Sequence, residues 1–423
     1  MTDQSQRTAL GSAILPAVAI LPALMLAVFT ISVGFGVLLP QLPTLIVRLL
    51  GAGGTAAQVS RATGLLTALY MVALFLFAPL WGRLSDHWGR RGVLLIGLSG
   101  FSLAMIASAF FETLAAVYVE RVVSGVFAAA VTPVALAAVT DFTVDKAALG
   151  RRLTFVSLAG VSGFLLGPTL GLALTRLLGA ADGAAGALTV PLLATGVLAL
   201  VAAIAVALTL NGANLSAHKR DDPTAPAPDP RLVLQLLILG FVVSAGVGGF
   251  EVGLALRGKQ ELGLTPVQIA TLFTMCSGVM IVVQALVFSP LVRPEFTRWL
   301  IAPAFAILAA GLLAVPLAGN FTLTLVVIGT VAASAGILSP ILTYWIASLV
   351  GHKSGADLGK QTSAASLGAA VGSAAGGLLY DVTWLPGAAF VLMAVLALGA
   401  VWPSLRLPGR LVAGVTAIPA RGS

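Results

Sequence analysis

Apolar residues fall in long runs separated by short polar breaks, a rhythm that persists along the whole chain. The runs occupy residues 21–47, 62–80, 93–110, 114–140, 153–178 and 188–210, then 232–256, 266–290, 299–318, 321–349, 358–379 and 386–403. At ~1.5 Å per residue each crosses, or nearly crosses, the ~30 Å of a bilayer's hydrocarbon. Hydrocarbon offers a peptide group no water to bond with, so such runs become helices. The pattern predicts an all-α membrane protein with twelve transmembrane helices. Pro40 and Pro43 lack an amide hydrogen and are expected to bend the first helix near its outer end.

One break is unlike the others. Residues 211–231 are polar, charged and proline-rich (Lys219-Arg-Asp-Asp-Pro-Thr-Ala-Pro), so they cannot span and are expected to lack regular structure. They divide the chain into two six-helix bundles, 1–210 and 232–423, joined by a cytoplasmic linker. Gly163, Gly167 and Gly171 recur at one constant offset as Gly368, Gly372 and Gly376. A spacing of four places each triplet on one helix stripe, where two backbones can approach closely. Two related halves with a site at their interface is the layout of a secondary transporter.

Composition narrows the class further. Of the 423 residues, 59% are hydrophobic and 9% charged, a balance no soluble globular domain shows, which excludes a soluble enzyme. The net charge of +8 would suit nucleic acid were it gathered on a soluble module, but it is not. Counted by alternate breaks, most Lys and Arg fall on one side, including Arg83, Arg90, Arg91, Arg151, Arg152, Lys219, Arg220, Arg298 and Arg406. By the positive-inside rule that side and both termini are cytoplasmic, in a plasma (inner) membrane. Ile14 to Leu39 is too long for a signal-peptide core and is read as an uncleaved first helix. Cys276 stands alone in an apolar run and is read as a small core residue. His87, His218 and His352 lie in or beside breaks, so the spans hold no ligand cluster for a metal or a membrane-embedded enzyme. No phosphate loop of the Gly-x-x-x-x-Gly-Lys-Ser/Thr kind occurs. No cofactor is expected.

The break Trp81 to Arg91 carries the most specific pattern. Gly82 and Gly89 permit a sharp turn, while Arg83, Asp86, Arg90 and Arg91 must stay at the water boundary. The series Gly82-x-x-x-Asp86-x-x-Gly89-Arg90-Arg91 resembles the signature loop between the second and third helices of the major facilitator superfamily, with His87 where that family usually has arginine. Glu120-Arg121-Val-Val-Ser-Gly125 resembles its fourth-helix motif. Gly160-Val-Ser-Gly163-Phe-Leu-Leu-Gly167-Pro168-Thr-Leu-Gly171 resembles its fifth-helix antiporter motif. Gly34 to Pro43 and Gly64 to Leu95 are similar to the start of the tetracycline efflux proteins. The resemblance implies the major facilitator fold and export of small lipophilic compounds in exchange for protons by alternating access. It also implies that the cluster around Asp86, Arg90, Arg91 and Asp141 latches the halves, and that Arg121 takes part in a proton relay.

The residues have their own physical reading. Asp86 and Asp141 can both accept from Arg90, and a cluster that breaks as the halves rock biases one state over the other. Pro168 bends its helix, and Gly163, Gly167 and Gly171 let a partner close over the bend. Glu120 and Arg121 sit about two turns inside the fourth span, but neighbouring helical side chains leave ~100° apart, so Arg121 is expected to face a cavity rather than Glu120. Glu251 is the one acid within the second half's spans, and is either a proton-binding group or a residue near the outer water boundary. Residues 21–47 hold no acid, where proton-coupled members usually have one. Phe35, Tyr70, Phe250, Gln284 and Tyr344 are candidate cavity residues, suited to a lipophilic, cationic molecule. The expected partners are that small molecule, protons and the bilayer, with no nucleic acid, and the chain is expected to act as a monomer. A transporter of one metabolite (a sugar, organic acid or siderophore) and a transport-dead sensor or scaffold remain as alternatives.

Overall fold

The first helix, α1 (Thr2–Leu38), stops where the prolines begin. Pro40 lies in a short 3-10 turn, Leu39–Gln41, and Pro43 in the first turn of α2 (Leu42–Leu50), so the first crossing is jointed as its prolines require. The computed structural model describes residues 2–143, 146–177, 186–210, 229–287, 296–350, 355–382, 385, 387–409 and 411. Its further helices are α3 (Ala56–Trp88), α4 (Arg90–Ser108), α5 (Leu114–Ala128), α6 (Thr132–Phe142), α7 (Lys146–Leu177), α8 (Gly186–Thr209), α9 (Pro230–Gln260), α10 (Pro266–Val287), α11 (Thr297–Ala314), α12 (Phe321–Val350), α13 (Gly355–Leu378) and α14 (Ala388–Leu405). His218, Lys219, Arg220, His352 and most of the expected linker lie outside the described residues. Its end is already ordered, because the Asp229 carboxylate accepts from the Arg231 amide at 2.9 Å and caps α9.

Two expectations need correction. Trp81 to Arg91 is not an open loop: α3 continues through Gly82 to Trp88, and the turn is the single residue Gly89, whose φ of 87° only glycine adopts without strain. A helix carried to the water boundary bonds its own peptide groups, so Gly82 is buried inside it instead of turning the chain. The fourth crossing is two helices, because Pro133 cannot donate to the preceding turn, and the chain is re-nucleated after Ala129 to Val131.

Among the described residues, eleven spans are apolar and long enough to cross a bilayer. The eleventh of the twelve runs, α13, is diluted with Gly, Ala and Ser but is enclosed by α9 and α3, so it needs little lipid-facing surface. Lipid-facing surface is plain elsewhere: Val197, Val201, Ile204 and Leu208 form an exposed stripe on α8. The halves share one packing scheme. In the first, α1 packs on α7, α3 on α5 and α4 on α8; in the second, α9 packs on α13, α10 on α12 and α11 on α14. The halves meet along α3 with α13 and along α7 with α10.

The glycine triplets explain the tightest of these pairs. Side chains at Gly163 and Gly167 would run into the carbonyls of Phe29 and Val33 on α1, while Gly171 faces Pro191 of α8. Side chains at Gly368, Gly372 and Gly376 would meet the carbonyls of Phe241, Ala245 and Gly249 on α9. Close backbone approach replaces the hydrophobic drive that lipid cannot supply. Gly372→Ala is therefore expected to destabilise by about 1–3 kcal/mol, the range for overpacking. Gly399→Ala, which meets nothing within 4 Å, should be neutral or stabilising by up to about 1 kcal/mol. Thermal midpoints of the two variants in detergent check this; equal midpoints would sink the backbone-contact account.

Candidate functional site

Arg90 opens α4 immediately after Gly89, with only 6% of its side chain exposed. Its Nη1 lies 2.6 Å from Asp86 Oδ1 and donates to Ser85 Oγ at 2.5 Å, while its Nε donates to Asp141 Oδ2 on α6 at 2.9 Å. One guanidinium thus ties α3, α4 and α6, which suits a planar fork with several fixed donors. Beside it, Arg91 donates to the Ala207 carbonyl of α8 at 2.8 Å, and Trp81 Nε1 to the Val126 carbonyl of α5 at 2.8 Å. His87 is exposed and contacts only the Arg83 carbonyl among the described residues, at 3.0 Å. Every described partner of Asp86, Arg90 and Asp141 belongs to the first half.

A second charged group lies deep in the first half. Glu120 and Arg121 are each 3% exposed and form a two-pronged ion pair, Nε to Oε2 and Nη2 to Oε1, both 2.7 Å. This corrects the expectation that they diverge. The ~100° between neighbours describes where the stems leave the helix, and two long stems in a medium without water curl until their charged ends meet. Arg121 also sits 5.5 Å from the centroid of the Tyr70 ring.

From Tyr70 a ladder of rings leads across the molecule. Tyr70 stacks on Phe35 of α1 with centroids 5.6 Å apart, and Phe35 stacks on Phe164 of α7 at 5.6 Å. Phe164 meets Phe273 of α10 edge-on at 6.2 Å, and with that contact the ladder enters the second half. Spacings of this kind suit aromatic pairs; Tyr70 and Phe273 are buried, while Phe35 and Phe164 are half-buried. Cys276 lies one helical turn beyond Phe273, is buried, and is within electrostatic reach of Glu251 on α9. Glu251 is half-buried and bonds to no described residue.

The other candidates are placed apart. Phe250 is 1% exposed and packs in the hydrophobic core, Gln284 is buried on α10, and Tyr344 meets Trp345 edge-on on α12. Sequence reasoning missed Phe164 and Phe273. Phe164 lies inside the Gly163 to Gly171 motif, where the glycines held attention, and Phe273 has nothing to mark it within an apolar run. It also missed a contact between the halves: Gly64 and Gly377 bring α3 and α13 into backbone contact, and Gln260 donates to Ser60 Oγ at 3.1 Å. Nearer the start of α13, Ser363 donates to the Phe75 carbonyl at 3.3 Å and Gly359 approaches Pro79. Just past the C-terminal end of α13, Tyr380 donates to Glu261 at 2.7 Å; burial, then that hydrogen bond, keeps its phenol protonated well above the ordinary range.

Two repeats of one packing scheme, meeting along two seams around buried charges and rings, define a transport protein of the two-bundle kind. The chain belongs to the Major Facilitator Superfamily, whose sequence model matches residues 24–356. Multidrug resistance protein 2 of Bacillus subtilis is 26% identical over 392 residues, spanning 89% of this chain and 93% of that protein. The class H tetracycline resistance protein of Pasteurella multocida is 36% identical over 142 residues, 33% of this chain and 34% of that protein. Among solved structures, the human organic anion transporter MFSD10 aligns with a TM-score of 0.71 at 20% identity, covering 91% of this chain and 99% of that one. The xylose transporter XylE of E. coli, in a partially occluded inward open conformation, aligns with a TM-score of 0.72 at 12% identity, covering 92% and 98%. At those identities the likeness speaks to the fold.

Proposed function

We propose that the chain exports small, lipophilic, cationic organic compounds in exchange for protons by rocking one six-helix half against the other. The observation that carries the reading is the ring ladder, which runs from the neutralised Glu120–Arg121 pair on one half to Phe273 on the other, one turn from Cys276, which is within electrostatic reach of Glu251. Ring faces attract a lipophilic cation, and Glu251 is a carboxylate without a described cationic partner. Proton and cation compete for one negative charge, so binding one expels the other. The multidrug and tetracycline resistance relatives support the same reading. An anionic metabolite fits less well, because the Arg121 guanidinium is already held by Glu120 at two points.

Switching is assigned to the inner ends of α3 and α13. These helices run antiparallel, with Gly64 beside Gly377, Phe75 bonded to Ser363 and Pro79 beside Gly359. Continuing that register brings Asp86 opposite the start of α13, where the positive end of the helix dipole attracts a carboxylate. Arg90 holds Asp86 in place, and separation of the inner ends breaks the attraction. The termini and the Arg90 cluster face the cytoplasm in this reading.

The test uses inside-out membrane vesicles acidified within. Ethidium is expected to accumulate and to be released by an uncoupler. Glu251→Gln should bind ethidium more weakly and lose at least about 90% of pH-driven accumulation, since a neutral amide neither attracts the cation nor exchanges a proton. Retained coupling in that variant would move the proton site to Glu120. No gradient-driven movement of any compound in a broad panel would favour a transport-dead sensor.

A further inference from the structure

A small cavity lies wholly within the second half, between α9, α12 and α13, away from the ring ladder. Its volume is about 70 Å³. It owes its space to two backbone choices. A side chain at Gly240 would meet nothing within 4 Å, and Pro340, inside α12, removes a backbone hydrogen bond from the opposite wall. Leu342 and Ile346 supply apolar lining, while Ser244, Ser339, Thr343 and Gln361 supply polar atoms. No charged side chain lines it.

The polar atoms are only partly occupied with one another. Gln361 Nε2 donates to Thr343 Oγ1 at 2.5 Å, and Thr343 Oγ1 donates in turn to the Ser339 carbonyl at 2.9 Å. Both orientations are thereby held, yet no described residue bonds to Gln361 Oε1, Ser244 Oγ or Ser339 Oγ. Gln361, Ser244 and the exposed Ser339 line this space, so one carbonyl acceptor and two hydroxyls are available to several waters or one small polar substituent, a water needing about 10–15 Å³. The position matters as well. Ser363, between Gln361 and Ala365 of the cavity wall, is the residue that bonds α13 to the Phe75 carbonyl across the seam between halves.

We propose that this cavity is a specificity subsite for an uncharged hydrogen-bonding group, a carboxamide or hydroxyl, carried by the exported compound, with Gln361 as its determining residue. It rests on the export reading, in which rings and Glu251 take the lipophilic cation and this pocket takes a polar substituent. A fixed acceptor beside two rotatable hydroxyls accommodates an N–H donor and a carbonyl together, the pattern of a primary amide. Charged substituents are disfavoured, because the lining offers no counter-charge.

The experiment compares two probes on the full chain in lipid nanodiscs: tetraphenylphosphonium, which has no hydrogen-bonding group, and the same cation with one para-carboxamide. Wild-type protein is expected to bind the carboxamide probe about tenfold more tightly, the value of one or two net hydrogen bonds. Gln361→Ala should erase that preference and leave tetraphenylphosphonium affinity within about twofold. Gly240→Val, which fills the cavity and keeps every polar group, should do the same. Equal binding of the two probes by the wild type, or a preference that survives both substitutions, overturns the subsite alone. Binding of neither probe overturns the export reading and the subsite with it.

Discussion

Arg121→Ala is expected to be the most damaging single substitution in the chain, costing about 3–5 kcal/mol of stability by leaving the Glu120 carboxylate buried without its partner. Both side chains are 3% exposed, so bulk water does not replace the guanidinium as the carboxylate's partner. The paired substitution Glu120→Gln with Arg121→Gln removes both charges while keeping most of the volume. It should recover most of that loss, because two amides can bond to each other where one carboxylate cannot. Thermal midpoints separate the two cases. Transport separates structure from mechanism: the folded double variant is expected to bind ethidium but to fail in pH-driven accumulation. Wild-type exchange by the double variant would remove the pair from the proton path and leave it a structural strut.

Arg90→Ala should give the largest fall in transport among changes in its cluster, at least about tenfold, with a stability loss of about 1–3 kcal/mol. The arginine serves Asp86, Asp141 and Ser85 together, so its removal leaves two carboxylates facing each other and unties α3, α4 and α6. Arg90→Lys restores charge as a single point and should recover stability only in part. Asp86→Asn isolates the switching role. It leaves the Arg90–Asp141 bond in place, so stability should be near wild type while exchange slows. Vesicle transport rates decide the matter, and an Asp86→Asn protein that exchanges at the normal rate would refute the latch at α13.

Much of the architecture was legible before any coordinates, because membrane helices answer to length and polarity. Twelve apolar runs became crossings, and Pro40 and Pro43 jointed the first of them. The glycine triplets also spoke plainly. A residue type with no side chain, repeated every fourth position in two related helices, has one strong physical use, and all of these glycines but Gly171 press against a neighbouring backbone. Local reading failed where a neighbour in space outweighed a neighbour in sequence. Glycine at position 82 looked like a turn but lies inside α3, because the helix bonds its own peptides all the way to the boundary and leaves the turn to Gly89. Glu120 and Arg121 looked divergent by helical angle, yet the absence of water brought their ends together.

The sequence by itself determined the solvent, the class and the order of the parts: a chain of apolar runs in two related sets, with charges confined to its breaks and to very few buried positions. Those properties are local, since the partition of a segment between water and lipid depends on its own side chains. Only the tertiary structure decided which side chains face one another. The line of rings from Tyr70 through Phe35 and Phe164 to Phe273 draws on four helices, and the cavity beside Gln361 on three. Such juxtapositions depend on how helices far apart in the chain pack together. In lipid that packing follows backbone approach and buried polar contacts, which no single run of residues contains.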